Sequence, residues 1–113
     1  MNIFEKTLVE DNELAWDVLG GGVSRKIMTY DNDVMLVKVA FEKGGIGALH
    51  YHPHKQISYI AKGKFEVTIG EDKKILSEGD VYFAPSNITH GVVCLEEGLL
   101  IDVFNPMRED FVS

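Results

Sequence analysis

Three of the four histidines in this chain fall within the short stretch from His50 to Gln56. Alternate side chains of an extended segment share a face, so His50 and His52 point the same way. A turn at Pro53 can bring Gln56 beside them on the next strand. The fourth histidine, His90, lies far along the chain. Imidazole is a common ligand of divalent transition metals. The three histidines His50, His52 and His90, together with the amide of Gln56, therefore predict one metal site.

The strands that would position this site are predicted from alternating apolar and polar residues on both sides of it. Alternation is clear over 35–41 and resumes over 57–61 and 65–69. Lys62-Gly63-Lys64 would join the last two as the tight turn of a hairpin. The other predicted strands are a short segment near Trp16, 23–30, 81–84, and the apolar runs 90–95 and 99–104.

Turn signals recur along the chain roughly every 8 to 12 residues, a spacing typical of an antiparallel sandwich or barrel. The sequence shows no long amphipathic helix, internal repeat or interdomain linker. A barrel suits a metal site, because neighbouring strands aim alternate side chains into one interior and so bring together ligands that are distant in sequence. We therefore predict an all-β chain with a single domain over residues 1–113.

The composition limits the classes of partner. A chain of 113 residues suffices for one domain with one core. The net charge of −7 argues against nucleic acid as a partner, because phosphate contacts need clustered cations and the eleven lysines and arginines are scattered. An acidic surface also repels a small anion at long range. Such a substrate requires a locally positive site, which a metal ion would supply.

The single cysteine and the N-terminal segment indicate the compartment. Cys94 excludes an intramolecular disulfide, and its apolar neighbours predict a buried small side chain rather than a nucleophile. Residues 1–6 lack the basic start and apolar run of a signal peptide, and no apolar segment is long enough to span a bilayer. We expect a cytoplasmic protein with no membrane partner.

The spacing of glycines, histidines and proline resembles the two sequence motifs of the cupin superfamily. Residues 44–63 resemble the first motif, with Gln56 where a glutamate is usual. Residues 79–94 resemble the second, with Asn87 and Cys94 where a glycine and an asparagine are usual. The positions that match are Gly44, His50, His52, Gly63, Gly79, Pro85 and His90. This resemblance implies the cupin fold, a double-stranded β-helix or jelly-roll-like antiparallel barrel.

Within the cupins, the run 50–56 and the tail 102–111 look like the KdgF family of pectin degradation. That family converts 4,5-unsaturated monouronates from pectin or alginate breakdown into linear keto sugar acids. The implied metal ligands are His50, His52, Gln56 and His90, and the implied catalytic and substrate-binding residues are Asp102, Phe104 and Arg108. Lys55, where relatives often carry a glutamate, is a departure that weakens the substrate assignment more than the fold.

The resemblance implies one divalent transition metal ion, and the sequence does not select among Ni, Zn, Fe, Co and Mn. Neutral ligands leave its charge uncompensated, which favours a small anionic sugar substrate. Asp102 would transfer a proton during ring opening and ketonisation, and alternation along 100–104 lets it face inward. Arg108 would grip a carboxylate, and Phe104 would contact the substrate. The resemblance also implies a homodimer.

Other interpretations stay open at this point. A non-catalytic metal-binding or sugar-binding cupin, a small dioxygenase and a sugar isomerase are compatible with the same scaffold. Asp102 can be a turn residue, and Arg108 can pair with Glu109 or Asp110 on the surface. His54 is expected outside the ligand set. Three further candidates for the pocket wall are Arg25, Tyr51 and Tyr82.

Overall fold

The computed structural model describes residues 7–113, most of which lie in strands. The eight strands are β1 (Asp17–Gly20), β2 (Val23–Tyr30), β3 (Met35–Phe41), β4 (Ile46–His50), β5 (Lys55–Ile69), β6 (Asp72–Ser77), β7 (Val81–Ala84) and β8 (His90–Asn105). Short 3₁₀ helices cover Asp11–Glu13 and Glu109–Phe111. Within 7–113, no helix is long and apolar enough to cross a bilayer. Residues 1–6, for which the sequence predicts no signal peptide, lie outside the described residues.

The long strands β5 and β8 organise the fold. They pair with each other along both of their halves. The first half of β5 also pairs with β7 and its second half with β6. The first half of β8 pairs with β4 and its second half with β3, which continues to β2 and β1. The strands therefore form two antiparallel faces that share β5 and β8, and the predicted all-β jelly-roll fold is confirmed.

The predicted hairpin turn at Lys62-Gly63-Lys64 is wrong. This segment is an irregular bend inside β5, where the register with β8 shifts. Gly63 has a φ of +87°, and a Cβ there would lie 2.5 Å from the carbonyl oxygen of Glu97. Only glycine permits this backbone approach, so both strands bend together without ending. For the same reason the apolar runs 90–95 and 99–104 belong to one strand.

The hydrophobic core consists of two clusters of buried side chains. The first contains Phe41, Ile60, Phe65, Val67, Tyr82, Val92, Cys94 and Leu100, and the second Met35, Val37, Phe104 and Met107. Cys94 is 1% exposed, which confirms that it is a buried small side chain. Burial raises the pKa of its thiol, so the reactive thiolate is disfavoured. Phe104 belongs to this core and also faces the site described next.

Candidate metal centre and substrate cavity

Three histidines meet at one point between β4 and β8. His50 ends β4 and lies opposite His90, the first residue of β8, in the antiparallel pair. His52 follows in the loop before β5. One ring nitrogen from each histidine lies within 4.8 Å of the others, and His52 and His90 are buried. The structure thus brings together the three histidines that the sequence singles out.

Contacts with a second loop fix the backbone that carries His52. The Asn87 N–H donates to the His52 carbonyl at 2.7 Å, and the Ser86 hydroxyl donates to the Pro53 carbonyl at 2.6 Å. Asn87 has a φ of +62°, in the left-handed region that asparagine tolerates better than most residues. Asparagine can therefore occupy this motif position, at which a glycine is usual.

Each of the three rings is oriented by a backbone carbonyl. The Nδ1 atoms of His50, His52 and His90 lie 2.7, 2.9 and 2.9 Å from the carbonyl oxygens of Ala48, His54 and Ile88. A carbonyl only accepts, so each Nδ1 carries the hydrogen and donates it. In a neutral ring the Nε2 atom is then left with an unshared lone pair. The rings therefore aim three lone pairs into the same space.

Gln56 adds a fourth donor, an amide oxygen, to these three nitrogens. Its Oε1 lies 3.1 Å from Nε2 of His52 and 3.2 Å from Nε2 of His90. Its Nε2 points away and donates to the Ser58 hydroxyl at 2.9 Å and to the Tyr82 hydroxyl at 3.4 Å. The amide oxygen therefore faces imidazole lone pairs, and no hydrogen lies between them when the rings are neutral.

A cation between these four atoms resolves that repulsion. Protonating a ring is the other remedy, but burial lowers the pKa of both His52 and His90, so the rings favour their neutral forms. Three imidazole nitrogens and one amide oxygen suit a divalent transition metal. The donor set of this chain therefore fits one divalent transition metal ion.

Asp102 lies buried beside this centre. It stands directly opposite Ser58 in the β5–β8 pair and accepts a 2.6 Å hydrogen bond from the Ser58 hydroxyl. Leu100, Asp102 and Phe104 are all buried, so the alternation predicted for this segment is correct. Burial raises the pKa of Asp102 to about 6, while the Ser58 hydrogen bond and the Arg108 charge act in the opposite direction. This carboxyl can exchange a proton near neutral pH.

A cavity of about 310 Å³ lies beside Asp102 and most of the metal donors. Its volume is at the lower end of the range for small-molecule sites. Polar and aromatic residues in its wall include His50, His90, Gln56, Arg25, Tyr82, Asp102, Phe104, Arg108 and Phe111. Tyr51 is exposed and is not among the lining residues. His54 is not part of the three-histidine cluster, and its buried Nδ1 has no hydrogen-bond partner in the described part of the chain.

The two arginines of the chain stack on one ring at this cavity. The guanidinium carbons of Arg25 and Arg108 lie 4.0 and 4.3 Å from the centre of the Phe111 ring. Arg108 also donates two hydrogen bonds to Asp110, at 3.0 and 2.8 Å. Among residues 7–113, the buried Nε of Arg25 has no hydrogen-bond partner and Arg25 forms no ion pair. Arg25 is therefore the less compensated of the two cations.

Comparison with known proteins agrees with this geometry. The cupin domain model matches residues 37–104, which contain the three histidines, Gln56 and Asp102. The chain is 53% identical over 104 residues to the pectin degradation protein KdgF of Dickeya dadantii (strain 3937), a match that covers 90% of this chain and 94% of that protein.

The chain is a cupin of the KdgF family.

Two solved cupin structures extend this comparison to the whole fold. KdgF from Halomonas sp. superposes with a TM-score of 0.90 at 39% identity, over 93% of this chain and 99% of that one. An RmlC-like cupin from Shewanella frigidimarina NCIMB 400 gives a TM-score of 0.93 at 37% identity, over 96% and 97%. This KdgF-family chain therefore shares almost its entire architecture with both.

Sequence reasoning missed one polar residue of this KdgF-family site and left two uncommitted. Ser58 escaped notice although it lies on the inward face of β5, two residues after Gln56 and two before the buried Ile60. A serine at an inward position of an otherwise apolar strand face is the signal that could have found it. Arg25 and Tyr82 were candidates only, because their approach to the cavity depends on packing between distant strands.

Proposed function

We propose that this chain catalyses the metal-dependent ring opening and ketonisation of 4,5-unsaturated monouronates from pectin or alginate breakdown. One observation carries the proposal: of the four neutral metal donors, three line the same cavity as a carboxyl with a raised pKa and two arginines. The 53% identity to a pectin degradation protein supports the choice of substrate class. The reaction is a rearrangement in which nothing is oxidised or reduced.

His50, His52, Gln56 and His90 would hold one divalent transition metal ion. Such an ion supplies Lewis-acid polarisation of a bound sugar acid when it is present. Because all four donors are neutral, the cluster leaves both positive charges available to an anion. This matters in a chain of net charge −7, whose surface otherwise repels a carboxylate.

Asp102 would transfer the proton. Ring opening of a 4,5-unsaturated uronate breaks the bond between C1 and the ring oxygen, and the proton of the C1 hydroxyl is transferred to that oxygen. This leaves an aldehyde at C1 and an enol, with its hydroxyl on C5 and its double bond between C4 and C5. Ketonisation then adds a proton at C4 and removes one from the C5 oxygen, so the two transfers balance. One carboxyl with a pKa of about 6 can deliver the first proton and accept the second.

Arg108 and Arg25 would bind the substrate carboxylate at the mouth of the cavity. A guanidinium matches a carboxylate in two parallel hydrogen bonds. Arg108 would have to share its donors with Asp110, whereas the Nε of Arg25 has no hydrogen-bond partner among the described residues. Phe104, 2% exposed and 5.9 Å from the His52 ring centre to centre, would shield the reacting sugar from water on one side.

Loss of ultraviolet absorbance by the unsaturated acid tests the proposed reaction. Purified protein should accelerate this loss for unsaturated galacturonate or guluronate well beyond its spontaneous rate. Removing the metal with a chelator should return the rate to the spontaneous value, and adding back one equivalent should restore it. Elemental analysis of the purified protein identifies the metal.

The same experiment separates the other functions. Metal retained without any acceleration would contradict the enzyme and favour a non-catalytic binding cupin. Oxygen uptake during turnover would favour a dioxygenase instead. A chelator-treated protein that remained fully active would show that the reaction does not require the metal.

We propose further that the chain forms a homodimer through the outer face of β5 and β7. Four large apolar side chains are about half exposed there, and they form the cross-strand pairs Ile57–Phe83 and Tyr59–Val81. The neighbouring strand β8 continues this face with Ile101 and Val103 opposite Tyr59 and Ile57. An apolar face of this kind marks an interaction surface, and a second copy offers the same apolar face in return.

Light scattering on a sizing column should give twice the chain mass for the parent protein. The double variant Ile57→Glu, Phe83→Glu should elute as a monomer, because it would bury charge in the interface. The control Ile75→Glu changes a residue of similar exposure on β6, outside this face, and should stay dimeric. A parent protein that is monomeric at all concentrations would contradict the proposal.

A further inference from the structure

Ser58 links the metal donors to Asp102 and is fully buried in doing so. Its hydroxyl accepts from Nε2 of Gln56 at 2.9 Å and donates to Oδ1 of Asp102 at 2.6 Å. Its relative exposure is 0%. We infer that Ser58 is a positioning residue, which fixes the carbonyl end of the Gln56 amide toward the three-histidine cluster. The inference rests on the proposed ligand set and not on the proposed reaction.

The direction of these hydrogen bonds follows from the number of protons available. A hydroxyl has one proton, and the Ser58 hydroxyl donates it to Oδ1 of Asp102 in the short 2.6 Å contact. The Ser58 oxygen can then only accept from Gln56. The amide must therefore present its NH₂ group to Ser58 and its oxygen to His52 and His90, as the distances of 3.1 and 3.2 Å show.

The alternative orientation of Gln56 would block the site. If the amide rotated by half a turn, its NH₂ group would donate to the Nε2 lone pairs of His52 and His90. That arrangement satisfies the metal-free histidines better than the observed one, because an N–H then faces each lone pair. The rotated amide would have no lone pair to offer a cation. Without a metal, Ser58 and the carboxylate behind it are what oppose this state.

Tyr82 gives weaker support to the same orientation. Its hydroxyl lies 3.4 Å from Nε2 of Gln56, compared with 2.9 Å for Ser58. Burial raises the pKa of the Tyr82 phenol, so it remains protonated and can also donate. A phenol that both donates and accepts does not discriminate between the two ends of an amide. Ser58 therefore selects the orientation of the Gln56 amide, because the only proton of the Ser58 hydroxyl is already donated to Asp102.

Removal of the hydroxyl tests the inference through metal affinity. In Ser58→Ala, affinity for Zn²⁺ in a chelator-competition titration should fall by roughly 10- to 100-fold, the usual cost of losing a partner behind a ligand. The Co²⁺ form should show a changed visible absorption spectrum, because the amide oxygen leaves the coordination sphere in part of the molecules. Ser24→Ala, on a strand without a proposed ligand, is the matched control and should bind as the parent does.

A double-mutant cycle with Gln56→Glu separates positioning from packing. A carboxylate presents an oxygen in either orientation, so Ser58→Ala should cost less than about threefold in the Gln56→Glu background, well below its cost in the parent. An equal loss in both backgrounds, or no loss in the parent, would overturn the inference. Should Ser58→Ala fail to fold, Ser58→Cys keeps the buried volume with a much weaker hydrogen-bonding group and carries the same expectation. A parent protein that binds no metal would instead remove the ligand set itself.

Discussion

Replacing Asp102 by asparagine is expected to slow conversion of the unsaturated uronate by roughly 10²- to 10⁴-fold, the usual contribution of a general acid–base group. Asparagine keeps the shape of the side chain, and its carbonyl can still accept the 2.6 Å hydrogen bond from Ser58. It cannot take up and release a proton. Turnover numbers at saturating substrate, measured on the metal-loaded protein, check this expectation.

Two measurements distinguish this proton transfer from a structural role. Metal content of the Asp102→Asn variant should equal that of the parent, since the Gln56 amide keeps its Ser58 partner. Alanine at the same position removes the hydrogen bond as well and should lower metal affinity in addition to turnover. A variant as active as the parent would leave Asp102 with a structural role only.

The raised pKa of Asp102 also makes the stability of the folded protein depend on pH. The unfolded chain releases this proton near the ordinary value of 3.8, whereas the folded metal-free chain keeps it until about 6. Between these two pH values only the folded state holds this proton. The contribution of Asp102 to the free energy of unfolding is therefore fully present below pH 3.8 and is lost as the pH rises through 6. Asp102→Asn should lack this decline. Urea unfolding of both metal-free proteins at pH 5 and pH 7 measures the difference.

Much of the fold follows from local patterns in the sequence. The segments 23–30, 35–41 and 81–84 were predicted from alternation and turn signals and agree with β2, β3 and β7. The bend at Gly63 did not follow, because a glycine between two lysines has the local chemistry of a tight turn. What prevents the turn is the backbone of residues 96–98, more than thirty positions away, against which Gly63 packs.

The residues of the site also fall into those that local spacing predicts and those that only the fold brings together. The convergence of His50, His52 and Gln56 is encoded within seven residues, so spacing alone indicates it. Ser58 and Asp102 are 44 positions apart and meet only through the register of β5 with β8. That register depends on the irregular bend in both strands, which no local pattern predicts. Residues that act through other residues are for this reason harder to find than the ligands.

The tail around Arg108 shows why a charged residue is hard to assign from sequence. Its pairing with Asp110, two positions away, is a local interaction that the sequence left open beside a role in substrate binding. The structure shows that Arg108 pairs with Asp110 and lines the cavity at the same time. Phe111 then joins it to Arg25, which is 83 positions earlier. The ion pair and the cavity position are therefore compatible.

Replacing His90 by alanine is expected to abolish metal retention during purification and, with it, all turnover above the spontaneous rate. His90 is 2% exposed, and its Nε2 lies 3.2 Å from Oε1 of Gln56. Removal of a direct donor should lower affinity by more than the roughly 10- to 100-fold that an outer partner costs. Metal content by elemental analysis and the uronate assay give the two readouts.

The matched control is His54→Ala, which also removes a histidine but none of the proposed donors. The His54 ring lies 5.5 Å from the His52 ring, centre to centre, and is not part of the three-histidine cluster. The His54 carbonyl that orients His52 belongs to the backbone and survives the substitution. This variant should therefore retain its metal. Because His90→Ala also leaves a cavity, unfolding of the metal-free proteins must show that it is still folded. A folded His90→Ala protein with full metal content would refute the assignment of this residue as a ligand.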